Sequence, residues 1–117
     1  MSYRGYRDLE VWQKSMKLVE EIYEITNVFP TEEKYGLTSQ LRRAAISVPS
    51  NIAEGSRRSK KEFSYFLTIA FGSGAEVETQ LELAQRFGFV DDGQYERVSQ
   101  IIEDVMKMLN KMISSLS

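Results

Sequence analysis

Apolar residues recur at intervals of three and four in four separate stretches of the chain, with polar residues between them, which is the pattern of amphipathic helices. Over residues 9–28 the repeat runs Leu9, Trp12, Met16, Val19 and Tyr23. Asp8 is the expected N-cap. Phe29-Pro30 ends the stretch, because a residue before proline is pushed out of the α region. A second helix is predicted over residues 32–55, with Glu32 and Glu33 placed favourably in its first turn. It carries Leu37, Leu41, Ala44, Ala45, Val48 and Ile52 on one face, and Gly55 suits its end. Pro49 falls inside this pattern, where it removes a backbone hydrogen bond and crowds the preceding turn at a cost of about 3 kcal/mol. A kink or short break is expected there.

The third stretch opens on Ser59-Lys60-Lys61-Glu62, the spacing of a capping box, in which the serine caps the amide three residues on and the glutamate reaches back. Phe63, Phe66, Leu67, Ala70, Gly74, Val77, Leu81 and Ala84 follow on one face. The helix, residues 60–87, is predicted to stop at Gly88 as its C′ residue. Asp91 or Asp92 then caps a fourth helix over residues 92–115. Its Tyr95, Val98, Ile102, Val105, Leu109, Met112 and Leu116 alternate threes and fours throughout, as knobs-into-holes packing requires. The four helices are each about 30–42 Å long at 1.5 Å per residue, and the links are short enough to force antiparallel neighbours. The expected fold is all-α, a single domain over residues 1–117 forming an antiparallel up-and-down four-helix bundle.

Composition narrows the chemistry. The 117 residues include neither cysteine nor histidine, which removes disulfides, thiolate nucleophiles, imidazole bases and the usual zinc ligand sets. No apolar run approaches the roughly 20 residues that span a bilayer, and residues 1–7 are polar and aromatic with two arginines. A cytoplasmic location without a membrane partner is therefore expected. Fifteen basic and seventeen acidic residues leave a net charge of −2, so contact with a polyanion has to come from a local patch. Residues 1–58 hold nine basic against eight acidic groups and are the better half in which to look for one.

Several residues exceed what a core needs. On the second helix Gln40, Arg43, Ser47, Asn51 and Glu54 form a polar line beside the apolar one. It is either a solvated flank or a partly buried network in which Arg43 pairs with Glu54 or with Glu76 of the third helix. The third helix carries Tyr65, Ile69, Gly72, Glu76, Gln80, Leu83 and Phe87 on a second line, well away from its core face. So much apolar surface on one bundle helix predicts a subunit interface in a homo-oligomer. The small residues Ala70, Gly72, Ser73, Gly74 and Ala75 fit close helix packing, with ligand approach the alternative. Arg57, Arg58, Lys60 and Lys61 form the densest basic cluster. It is either a solvated turn or a phosphate-contacting patch, and an oligomer would repeat it once per subunit.

The run Gln40-Leu41-Arg42-Arg43-Ala44-Ala45, the run Ser47-Val48-Pro49-Ser50-Asn51-Ile52-Ala53-Glu54-Gly55, and Gly72-Ser73 with Glu76 resemble the four-helix-bundle proteins encoded in intervening sequences of bacterial 23S rRNA genes. Tyr6-Arg7-Asp8-Leu9, Val11-Trp12 and Phe29-Pro30 are similar to that family as well. The resemblance implies a bundle that assembles as a ring, typically a pentamer, with no enzymatic activity assigned. It also implies kinship with the accessory protein of diversity-generating retroelements, a basic pentamer that binds a reverse transcriptase and nucleic acid.

The expected function is that of a non-enzymatic oligomeric binding scaffold for RNA or a ribonucleoprotein. A protein-interaction scaffold with no nucleic-acid role is the alternative. No catalytic residue, cofactor, metal ligand or small-molecule substrate is expected. Glu54 and Glu76 could in principle form a carboxylate pair for acid–base work or a cation, but the glutamate-x-x-histidine motif of di-metal bundles is missing.

Overall fold

The computed structural model describes residues 5–117. Residues 1–4, part of the polar opening considered above, lie outside the described residues. Four α-helices, α1 (Glu10–Thr26), α2 (Leu37–Ser56), α3 (Lys60–Arg86) and α4 (Asp92–Leu116), form an antiparallel bundle of 45 × 25 × 25 Å. Each helix packs on the next, and α1 closes against α4. The pairs α1–α3 and α2–α4 are the diagonals of the square. Short 3₁₀ turns lie at Gly5–Asp8 and Thr31–Glu33.

The core is built from the stripes expected on α2, α3 and α4. Leu41, Val48, Ile52, Leu67, Val77, Leu81, Val98, Ile102, Val105 and Leu109 are all buried. On α1 the core takes a different line from the one the sequence suggests. Val11, Leu18, Ile22 and Ile25 are buried with Ser15 among them, whereas Met16 and Tyr23 are exposed and Trp12 and Val19 only half-buried. The α1 helix has two apolar lines, and the inward one is interrupted by a serine. Ser15 is tolerated there because its hydroxyl donates to the Trp12 carbonyl at 2.8 Å, which satisfies the group within its own helix.

Helix ends follow local chemistry, with two corrections. Leu9, not Asp8, holds the α1 N-cap position, and Asp8 belongs to the preceding 3₁₀ turn. The second helix does not start at residue 32: Glu32 and Glu33 lie in a 3₁₀ turn, and α2 begins five residues later. Glu33 still serves the helix, since its Oε1 accepts from the Leu37 amide at 3.0 Å. Ser59 caps α3 through the Glu62 amide at 3.2 Å. Gly88, at φ +77°, ends α3 in a Schellman motif, with Gly88 N–H bonded to Gln85 and Phe89 N–H to Ala84. Of the two aspartates, Asp91 is the cap of α4: it accepts from the Gln94 amide at 2.7 Å while Gln94 accepts from the Asp91 amide at 3.0 Å.

Two expectations for α2 are narrowed or changed. The helix runs without interruption through Pro49, so no break occurs there. Gly55 does not terminate α2 but is buried inside its last turns, against α3. A Cβ at that position would lie 2.6 Å from Phe66 Cβ and 3.0 Å from Phe63 Cδ1. The missing side chain lets the two helices approach closely just before the chain reverses.

Candidate functional site

The polar line on α2 divides in two. Ser47 and Asn51 join a network across the α2–α3 seam: the Ser47 and Ser73 hydroxyls lie 2.8 Å apart, and Asn51 Nδ2 donates to Ser47 O at 2.8 Å and Ser47 Oγ at 2.9 Å. Ser73 is buried, so this satisfies polar groups that would otherwise destabilise the seam. Gln40, Arg43, Glu76 and Gln80 line an adjoining cleft of about 280 Å³. Gln80 Oε1 is buried there without a donor.

The expected Arg43 pairings do not form. Arg43 makes no ion pair among the described residues. Glu54 lies eleven residues along the same helix, roughly 16 Å at 1.5 Å per residue, too far for the two side chains to meet. Glu54 instead accepts from Arg58 Nη2 at 2.6 Å, and Arg58 Nη1 lies 3.5 Å from Glu62 Oε2. The hydrogen bond that Arg58 donates to Glu54, followed by the carboxylate's charge, raises the Arg58 pKa above the ordinary arginine value.

The basic cluster is thus partly neutralised from within. Arg57 stacks over the Tyr6 ring at 5.5 Å and Arg58 over Phe66 at 5.2 Å, while Lys60 and Lys61 are exposed. Glu54 is engaged by Arg58, and Glu76 lines the α2–α3 cleft. Among the described residues no three acidic groups converge as a metal-ligand set.

The second line on α3 is exposed except at Gln80, which is half-buried. Tyr65 is 65% and Phe87 60% accessible, and Ile69 and Leu83 are also exposed. Gly72 lies between them with open space where a Cβ would stand. By the 100° helical step these residues fall within one arc of roughly 80°. The neighbouring small residues serve packing: Ala70, Ser73 and Gly74 are buried, and a Cβ on Gly74 would meet Met106 Sδ of α4.

A further cleft of about 450 Å³ lies along α2 near the end of α1, and of its residues the sequence offers only Arg43 as a candidate site residue. Tyr23, Lys34, Tyr35, Arg42 and Arg43 line it, with Thr38 and Ser39 between them. Arg42 is fixed in place: Nε donates to Thr26 Oγ1 at 2.8 Å, Nη2 donates to Asn27 Oδ1 at 3.2 Å, and the guanidinium stacks over Tyr23 at 4.3 Å. Lys34 Nζ stands 5.5 Å from the Tyr35 ring centroid. The signal in the sequence is a pair of spacing-four lines, Lys34-Thr38-Arg42 and Tyr35-Ser39-Arg43. They are overlooked because the first member of each precedes α2 and Tyr23 comes from another helix.

Fold and surface define a small antiparallel helical bundle whose distinctive chemistry lies on its outer faces. The family described as 23S rRNA-intervening sequence protein matches residues 7–111, and the chain belongs to that family. No curated protein matches the chain. Among solved structures it is similar to a protein of unknown function from the S23 ribosomal protein family of Bacteroides thetaiotaomicron VPI-5482. The two share 25% identity and a TM-score of 0.82, over 89% of this chain and 95% of that one. No helix among the described residues is long and apolar enough to cross a membrane.

Proposed function

We propose that the protein is a non-enzymatic, homo-oligomeric scaffold, a ring of bundles with five subunits the expected number, whose partner is RNA or a ribonucleoprotein in the cytoplasm. The observation that carries the assembly is the exposed line Tyr65, Ile69, Leu83 and Phe87 on α3. Buried on one side only, such a helix leaves large apolar groups in water, and a second copy of the chain would cover them. Gly72 supports this, since it keeps the middle of the line flat enough for close approach. The RNA partner is supported by membership of a family named for rRNA intervening sequences, and by basic groups gathered on a chain of net negative charge.

Sedimentation at micromolar concentration is expected to give a species several times the mass of one chain, and the double substitution Tyr65→Ser with Phe87→Ser to give a folded monomer. A wild-type monomer would overturn the assembly. RNA affinity is expected to fall steeply with added salt and to weaken when Arg57, Arg58, Lys60 and Lys61 are replaced by glutamine. The internal pairing of Arg58 favours a second reading, a protein-interaction scaffold without a nucleic-acid role. A partner whose capture survives nuclease, together with no RNA binding at low salt, would select it.

A further inference from the structure

We infer that the cleft lined by Tyr23, Lys34, Tyr35, Arg42 and Arg43 is a site that holds single-stranded RNA, taking a base against tyrosine and the flanking phosphates on the cations. This rests on the RNA reading above and assigns it a place and a mode of binding.

Three features separate this cleft from the basic cluster at residues 57–61. The first is charge balance. Lys34, Arg42 and Arg43 line one cleft that no carboxylate lines, and none of the three makes an ion pair among the described residues. Arg58, by contrast, is already committed to Glu54 and Glu62. A phosphate arriving at the cleft meets uncompensated charge and need not displace an internal carboxylate, so the electrostatic gain is retained.

The second is the aromatic surface. Tyr35 is 88% accessible, a large ring with no packing role in the bundle. Tyr23 is partly exposed, with one contact to its ring made by Arg42. Rings and guanidinium planes beside unpaired cations form the stacking platform by which single strands are held, since every base has a π-face. A duplex keeps its bases stacked on one another and has none to offer.

The third is preorganisation. Arg42 is held by two hydrogen bonds and a stacking contact before any ligand arrives, so little side-chain freedom remains to be lost on binding. Arg43 has no such restraint and is free to follow the backbone of the strand. The cleft also lies on the α1–α2 side of the square, which does not include α3. Arg43 alone of its residues also borders the α2–α3 cleft with Glu76 and Gln80; assembly through α3 would repeat the site once per subunit, and a strand reaching two subunits would bind with multivalent strength.

The test is fluorescence anisotropy of the full chain with a labelled 12-nucleotide oligouridine at low salt, beside an RNA duplex of equal length. Wild type is expected to bind the single strand more tightly than the duplex. Tyr35→Ala should weaken single-strand binding about fivefold or more, the loss of one stacked base, while Tyr35→Phe retains it. Lys34→Gln and Arg43→Gln should each lower the slope of log affinity against log salt by about 0.7. These side chains lie on the surface, so thermal melts should match wild type. If the wild type binds and the cleft variants bind as well as it does, this inference falls and the RNA reading stands. Equal affinity for duplex and single strand would remove the stacking mode. If the wild type binds no RNA at low salt, the RNA reading falls and takes this inference with it.

Discussion

Arg97 of α4 donates from Nε to Glu21 Oε1 of α1 at 2.7 Å, joining the last helix to the first across 76 residues of sequence. The glutamate side chain is 12% accessible and the arginine 48%, so one partner is largely withdrawn from water while the other remains at its edge. Replacing Arg97 with Met strands a nearly buried carboxylate. The expected loss is about 1 kcal/mol, below the usual range for charged hydrogen bonds because the arginine is screened by solvent. A urea-denaturation double-mutant cycle with Glu21→Met should show recovery in the double variant. The bond to Glu21 raises the Arg97 pKa above its ordinary value. Stability from a raised pKa is fully present below the unfolded value and is lost only as pH climbs past it, so the arginine makes this contribution independent of pH across the neutral range.

Gly55→Ala should lower stability by about 1–3 kcal/mol, the usual cost of overpacking a tight contact. The new methyl would meet Phe66 Cβ, which is anchored to the α3 backbone and cannot swing aside as a flexible side-chain end would. The gain in helix propensity, about 1 kcal/mol, does not offset this. A fall in the urea midpoint at unchanged slope is the expected observation.

Gly72→Ala makes the opposite case on the same pair of helices. Nothing stands within 4 Å of the position, so alanine should raise the stability of the single bundle by up to about 1 kcal/mol. If a neighbouring subunit packs across that line, the same methyl should weaken assembly. Equilibrium sedimentation beside thermal melts reads both, and tighter assembly in the variant would count against an interface on this face.

Acidification should loosen the start of α3. The Ser59 hydroxyl, which donates to Glu62 Oε1 at 2.9 Å, is the first cause holding the Glu62 pKa below its ordinary 4.5, with the Ser59 backbone and Arg58 adding to it. A lowered carboxylate pKa contributes stability above the unfolded value and loses it as pH falls through the folded one, here below 4.5. Thermal midpoints recorded across that range should fall more steeply for wild type than for Ser59→Ala. Parallel profiles would show that the cap does not titrate in this way.

The candidate interface on α3 was legible from spacing alone, because Tyr65, Ile69, Leu83 and Phe87 share one helix whose face follows from the 100° step. The cationic cleft was not. Tyr23 comes from α1, Lys34 and Tyr35 from the turn before α2, and Arg42 and Arg43 from α2 itself, so no single helical period contains them. The basic run at residues 57–61 stood out because it is dense in sequence, yet density does not reveal that Glu54 and Glu62 lie within reach of Arg58.

By itself the sequence determined four helices and most of their ends. The Ser59 cap and the Gly88 C′ position each depend on groups within six residues of one another, as does the cap of α4, which the sequence narrowed to Asp91 or Asp92. It also determined the inward faces of α2, α3 and α4, where one apolar line is much the stronger. Only the tertiary structure decided which of two lines on α1 enters the core, since Trp12 and Met16 are as apolar as Leu18 and Ile22. That choice turned on the neighbours each line meets and on whether Ser15 could satisfy its hydroxyl inside. Likewise only the packed bundle decided that Glu54 serves Arg58, that Gly55 is a contact with Phe66, and that five residues from three segments share one cationic cleft. Such pairings depend on how far apart helices come to rest, which a periodic pattern along one helix does not contain.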